Sequence, residues 1–292
     1  MDTRFLESFL IFAESGSIAE AARRQNITPA ALTQRIRALE AEMGARLLTR
    51  SGQTTRPTRA GTTILERTRR LLSDARDLSL IAKADVLTGQ LRIGAIATAV
   101  TGILPPILSA LAEQYPQLDV YVMPGASVDL YQKVLTGELD AAILVEPPFD
   151  LPKACNWMLL RKEPLILISP QTTPISDAHA LLRDKPFIRY DRNHWGGRLA
   201  DAYLRQAKIT PRDRFELDAL DAIAIMVASG LGVSLVPDWA RPWPENLALN
   251  KLTIDTTTFA RRIGLLWMRN STSLRLVKIF QAQTRSLRRK RP

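Results

Sequence analysis

The chain has 292 residues, 46% of them apolar and 24% charged, which excludes a globally disordered, collagen-like or disulfide-built protein and fits two or three domains of about 100–150 residues. A single cysteine, Cys155, and two histidines, His179 and His194, exclude an internal disulfide and a multi-cysteine zinc site and leave little for a histidine-based one. Forty Lys+Arg against 29 Asp+Glu give a net charge of +11, a balance that favours nucleic acid, an acidic membrane surface or an anionic ligand as partner. The first lysine is Lys83, so every earlier cation is an arginine, whose planar fork suits phosphates and guanine edges. The longest apolar run near the start, Phe9 to Ala13, lies between Glu7 and Glu14. It is too short for a signal sequence, and the ~20 apolar residues of a spanning helix are absent, so a cytoplasmic protein without membrane attachment is expected.

In residues 2–15, Phe5, Leu6, Phe9, Leu10 and Ala13 form one apolar stripe, which predicts a helix ending at Gly16. Ser17 and Glu20 have capping-box spacing for a short second helix ending near Gln25-Asn26. Thr28-Pro29 opens a third helix, threonine as N-cap and proline at N1, running to about Glu42 before Gly44. Leu32, Ile36, Leu39 and Met43 form its apolar back. Ala30, Thr33, Gln34 and Arg37 form a front without large apolar groups. Two helices joined by a short turn, the second with a small polar front, match a helix-turn-helix, and Gln34 and Arg37 can donate to purine acceptors. A plain three-helix bundle with a solvated face fits the same pattern.

Residues Leu47 to Thr58 read as two short strands around Ser51-Gly52, a wing whose Arg50 and Arg56 can reach phosphates or a narrow minor groove. A solvated basic loop is the alternative. Thr58 then caps a helix expected to reach Thr88, about 45 Å at 1.5 Å per residue. Ile64, Leu71 and Leu78 recur at seven-residue spacing along it, a coiled-coil-like seam that calls for a second chain or for packing on the C-terminal part.

Beyond Gly89, strands and helices alternate. Strands are expected at 91–96, 120–123 and 141–145, with helices at 104–115 and 128–135 between them. A second series has strands at 165–168, 187–190, 215–217, 233–236 and 263–268, and helices at 196–207, 222–229 and 274–287. Such βαβαβ order predicts mostly parallel sheets in two α/β lobes with a cleft at their strand ends. Of the possible acid catalysts Asp129, Glu138 and Asp140, the last ends a turn into a buried strand and reads as a cap. No nucleophile elbow, phosphate loop or metal-ligand cluster occurs, so no enzyme is expected. Cys155 beside Asn156 and Trp157 fits either a redox sensor or an inert buried thiol. The tail Arg288 to Arg291 fits a solvated end or a DNA contact.

Taken together, Ala21-Ala22, Ala31-Leu32-Thr33, Ile36-Arg37-Ala38-Leu39-Glu40, Leu47-Leu48-Thr49-Arg50 and Thr58-Arg59-Ala60-Gly61 resemble the LysR-type transcriptional regulators. Gly137-Glu138-Leu139-Asp140 and the run Gly230 to Pro237 are similar to that family's effector-binding domain. The usual Ser-Gln-Pro-Ala opening of the recognition helix is here Thr28-Pro29-Ala30-Ala31, the Ser-Arg pair is Thr33-Gln34, and a leucine is replaced by Pro57. The family's glutamine contact to DNA therefore does not carry over to Pro29, and the operator is expected to differ.

The resemblance implies an overall α/β protein. Residues 1–58 would be a winged helix-turn-helix, 59–88 a linker helix, and 91–292 a two-lobed effector domain resembling periplasmic binding proteins. Lobe I would hold about 91–163 and 264–292, lobe II about 164–263. Operator DNA would meet Thr28, Pro29, Ala30, Thr33, Gln34, Arg37, Arg50 and Arg56, dimers would form along Ile64, Leu71 and Leu78, and effector-domain contacts would permit tetramers. The family's hydroxyl-bearing effector contacts match Thr98 and Ser127, with Arg189 as a candidate charge from the facing lobe. Both hydroxyls also suit simple helix caps. The effector would be a small organic anion or a neutral polar molecule, with no other cofactor and no metal, and RNA polymerase is a further expected partner.

Overall fold

The structure, a computed structural model, describes residues 2–51, 54–82, 89–174, 177–254, 259–271 and 273–289. The chain forms two compact units, Met1–Gly89 and Gln90–Pro292. No helix among the described residues is long and apolar enough to cross a membrane.

The first unit contains α1 (Thr3–Ser15), α2 (Ile18–Arg24), α3 (Pro29–Met43), strands β1 (Leu48–Ser51) and β2 (Thr54–Pro57), and α4 (Arg59–Ala82). Each of the first three helices starts where a side chain accepts one of the orphan amides of the first turn. Asp2 accepts from Arg4 N, Ser17 from Glu20 N and Thr28 from Ala31 N. The capping box forms only in part, because the Glu20 carboxylate pairs with Arg23 and Arg24 instead of reaching back. The expected stripes of α1 and α3 meet in the core, where Leu6, Phe9, Phe12, Leu32 and Leu39 are buried with Leu47, the residue before β1. Burying each such side chain contributes about 1.5–3 kcal/mol.

Two contacts fix the wing. The Glu40 carboxylate accepts from Leu47 N at 2.7 Å and Leu48 N at 2.9 Å. Thr58 caps α4 through Gly61 N at 3.0 Å while its hydroxyl donates to the Arg46 carbonyl at 2.7 Å. A Cβ on residue 61 would run into the Leu47 carbonyl, so only glycine lets α4 start this close to the strand. The expected continuation of α4 to Thr88 lies outside the described residues.

The second unit runs β3 (Gly89–Ala95), α5 (Ala97–Gly102), α6 (Leu104–Gln114), β4 (Leu118–Pro124), α7 (Ser127–Thr136), β5 (Ala141–Val145), β6 (Cys155–Pro170), α8 (Ala178–Asp184), β7 (Pro186–Tyr190), α9 (Trp195–Gln206), β8 (Arg212–Leu217), α10 (Leu220–Ala228), β9 (Ser234–Pro237), β10 (Leu249–Thr253), β11 (Ala260–Met268) and α11 (Leu274–Arg289). The sheets are mixed, not mostly parallel as the alternation suggested. β3 and β5 are parallel, as are β7 and β8, but β11 is antiparallel to both β5 and β6, and β9 and β10 are antiparallel to β6.

The cause is the length of β6. Its residues up to Pro164 pair with β11 in the first lobe, and from Leu165 onward it pairs with β9 in the second. The chain thus crosses between lobes within β6 and returns at the start of β11, and each crossing strand meets its neighbours head to tail. The second lobe is closed by two apolar clusters, one around Leu165, Phe187, Leu204 and Leu235, the other around Ile168, Ile188, Ile223 and Trp239.

Candidate nucleic-acid interface and effector cleft

On α3 the burial of Leu32, Ile36 and Leu39 turns the opposite face outward. Thr28, Pro29, Ala30, Gln34 and Arg37 are exposed and Thr33 is half-buried. The Thr33 hydroxyl donates to the Pro29 carbonyl at 2.8 Å, and the Thr28 hydroxyl is committed to its cap. Gln34 and Arg37 are therefore the long donors of this face. Arg56 of the wing is exposed, whereas the side chain of Arg50 lies outside the described residues.

In the second unit a cleft of about 330 Å³ opens between the lobes. Thr98 and Ser127 line it from the first lobe, and Tyr190, His194, Trp195, Gly196, Asp218 and Asp221 from the second. The starts of α7, α9 and α10 face it, with Ala126, His194 and Ala219 as N-caps and no side chain bonded to the first-turn amides. Such amides carry the positive end of the helix dipole and suit an anion. Gly196 allows the Tyr190 ring to pack against the start of α9: a Cβ there would lie 2.6 Å from the Tyr190 oxygen.

At the floor Arg261 of β11 is buried and pairs with Glu163 of β6 at 2.6 Å. Burial alone would lower its pKa, but the Glu163 charge and Tyr190 outweigh it and the guanidinium stays charged. Burial pushes the Tyr190 phenol up, so it remains a neutral hydroxyl. Edge-to-face rings bridge the lobes beside the cleft: Trp195 stands 6.0 Å from Tyr131 and 5.7 Å from Phe149.

Residues 3–62 match the model of the bacterial regulatory helix-turn-helix protein, lysR family, and residues 84–288 match the LysR substrate binding domain. The chain belongs to the LysR-type transcriptional regulators. It is 31% identical over 247 residues to the transcriptional activator IlvY of Salmonella typhimurium, covering 82% of this chain and 83% of that protein. It is 28% identical over 246 residues to the nitrogen assimilation regulatory protein Nac of Escherichia coli, covering 82% and 79%. Among solved structures, full-length CbnR in complex with its target DNA superposes with a TM-score of 0.72 at 22% identity, over 98% of this chain and 99% of that one. A full-length OxyR variant of Pseudomonas aeruginosa gives 0.70 at 24%, over 98% and 95%. LysR-type proteins are DNA-binding regulators with an effector-binding domain, which accounts for the two units.

In this LysR-type chain Thr98 and Ser127 share one cleft, but neither caps its helix. The caps of α5 and α7 are Ile96 and Ala126. Ser127 Oγ instead accepts from Val145 N at 3.1 Å, tying α7 to the end of β5, and Thr98 Oγ1 accepts from Arg261 at 3.1 Å. Arg189 is not in the cleft. It is buried on the other face of β7, paired with Asp201 at 3.0 Å and Asp213 at 2.8 Å. Strand alternation gives the inward place to Tyr190.

Along the seam, Ile64 is half-buried against the core of its own unit, Leu71 is 41% exposed, and the side chain of Leu78 lies outside the described residues. Asp140 accepts from Arg92 N at 2.7 Å and pairs with its guanidinium, and Glu138 pairs with Lys133, so both carboxylates have structural partners. Cys155 is buried with its thiol pKa pushed up by desolvation. No group of three or more metal-ligating side chains occurs among the described residues.

Sequence reasoning missed Arg261, Tyr190 and Trp195. The adjacent Arg261-Arg262 after a run of threonines was the one available signal for the first of them.

Proposed function

We propose that this regulator binds an imperfectly palindromic operator as a dimer or tetramer and is switched by a small organic anion held in the cleft beside Thr98 and Ser127. One observation carries the effector reading: three helix starts without side-chain caps and one buried guanidinium face a single cleft. In this reading α3 enters the major groove, with Gln34 and Arg37 toward base edges and Arg56 on the backbone. Thr28, Pro29, Ala30 and Thr33 allow close approach of the helix start, and Arg50 follows the wing. The exposed Leu71 supports pairing of α4 with a second chain. The protein acts in the cytoplasm, without catalysis, and RNA polymerase is its downstream partner.

Native mass spectrometry of the chain as purified from cells tests the effector site. A co-purified small anion is expected, with occupancy reduced in Thr98→Val and Ser127→Ala while operator affinity without it is unchanged. Equal occupancy in wild type and the double variant would move the site elsewhere.

A further inference from the structure

Among the described residues that line the cleft, Arg261 alone is both charged and buried. It sits where the chain crosses between lobes, opposite Glu163 in the β6–β11 register. Arg261 Nε donates to Glu163 Oε2 at 2.7 Å. That carboxylate is shared, however. Its other oxygen lies 3.3 Å from Arg161 Nε and accepts from Ala240 N at 3.2 Å. Two guanidiniums thus divide one carboxylate. Toward the cleft Arg261 donates to a neutral oxygen, Thr98 Oγ1 of one lobe at 3.1 Å, and Tyr190 of the other lobe lines the same cleft beside it.

We propose that Arg261 and Tyr190 form the seat for the effector's anionic group, and that the effector is a small monocarboxylate whose remaining polar groups are hydrogen-bond donors. The proposal rests on the cleft being the effector site. A carboxylate oxygen replacing a neutral hydroxyl on a guanidinium makes a charge-assisted bond roughly twice as strong, and the planar fork fixes its orientation. The α7 and α9 starts add their amides from either side.

The rim has the opposite character. Asp218 and Asp221 line it, both exposed. His194 Nε2 lies 3.5 Å from Asp218 and 3.6 Å from Asp191, and no ion pair of Asp221 occurs among the described residues. A second negative charge on the ligand would face these carboxylates, whereas a hydroxyl or ammonium would donate to them. Because the seat joins Thr98 of one lobe to Tyr190 of the other through the crossing strands, filling it couples ligand charge to lobe closure.

Calorimetric titration of the full chain with sodium propionate, lactate, alaninate, malonate and succinate at constant ionic strength tests this. Saturable binding of lactate or alaninate is expected, with the dicarboxylates at least about tenfold weaker. Tyr190→Phe and Arg261→Lys should each weaken the monocarboxylate about tenfold or more. Arg261→Gln would remove the closer of the two guanidiniums from the buried Glu163 and risks unfolding, so these two variants carry the test. Dicarboxylates binding as tightly as monocarboxylates, no monocarboxylate binding below about 10 mM, or affinities unchanged in both variants would each overturn the proposal. Ser127→Ala separates the two ideas. If it weakens binding while Tyr190→Phe and Arg261→Lys do not, the cleft stands and the seat falls; if none of the three does, both fall.

Discussion

Removing the Glu40 carboxylate should loosen the wing without touching the effector unit. Glu40 Oε1 accepts from Leu47 N and Leu48 N at 2.7 and 2.9 Å, and the group is half-buried. Hydrogen bonds to a charged group contribute about 1.5–3 kcal/mol each, and two that share one oxygen are less than additive, so Glu40→Ala should cost about 2–4 kcal/mol. Glu40→Gln keeps an acceptor at the same place but loses the charge, and should cost only about 1–2 kcal/mol. The five tryptophans, 157, 195, 239, 243 and 267, all lie beyond residue 90. Their fluorescence therefore reports the effector unit alone, while far-ultraviolet circular dichroism reports both. In urea at fixed protein concentration, Glu40→Ala should move the dichroism transition of the N-terminal unit to lower denaturant and leave the fluorescence transition in place. Operator affinity should fall with the wing. A cost below about 0.5 kcal/mol, the level of an ordinary surface substitution, or equal movement of both transitions, would refute the reasoning.

Arg37→Ala should weaken specific operator binding by about 1–3 kcal/mol, and Arg56→Ala should lower the salt slope by about one while affecting all sequences alike; fluorescence anisotropy across a salt series reads both. Leu71→Glu replaces an exposed leucine, so it should leave thermal stability nearly unchanged and yield monomers in sedimentation; a wild-type chain that is already monomeric at micromolar concentration would reject the pairing. Burial holds the Cys155 thiol protonated at neutral pH, because its pKa lies above the ordinary thiol value and deprotonation requires a higher pH still. Alkylation of the folded chain by iodoacetamide should accordingly be slow at neutral pH and reach the unfolded rate only in denaturant.

The parts legible in the sequence were those set by local chemistry. Thr28-Pro29 marks a helix start whatever surrounds it, and the 3.6-residue stripe of α3 assigns its back and front. The capping box failed at Glu20 because two arginines three and four residues on compete for the same carboxylate. Tertiary choices were not legible. Phe187-Ile188-Arg189-Tyr190 reads as a strand, but which parity faces the cleft depends on register, and a paired arginine took the outer face. The Arg161-Lys162-Glu163-Pro164 stretch lies outside the expected strands and is the crossing point of β6. There a charged pair replaces the apolar residues a strand core would show. Of two adjacent arginines, Arg261 turns inward to Glu163 and Arg262 pairs with Glu146, a difference created only by the sheet.

Selection from a pool of random duplexes by the full chain at one stated salt concentration, run beside Arg37→Ala, tests the central claim most directly. An operator-reading LysR-type protein should enrich an imperfect palindrome whose half-sites become less defined in Arg37→Ala, with non-specific retention unchanged. Enrichment of no sequence over the starting pool, or identical motifs from both proteins, would contradict the assignment of α3 as the element that reads DNA.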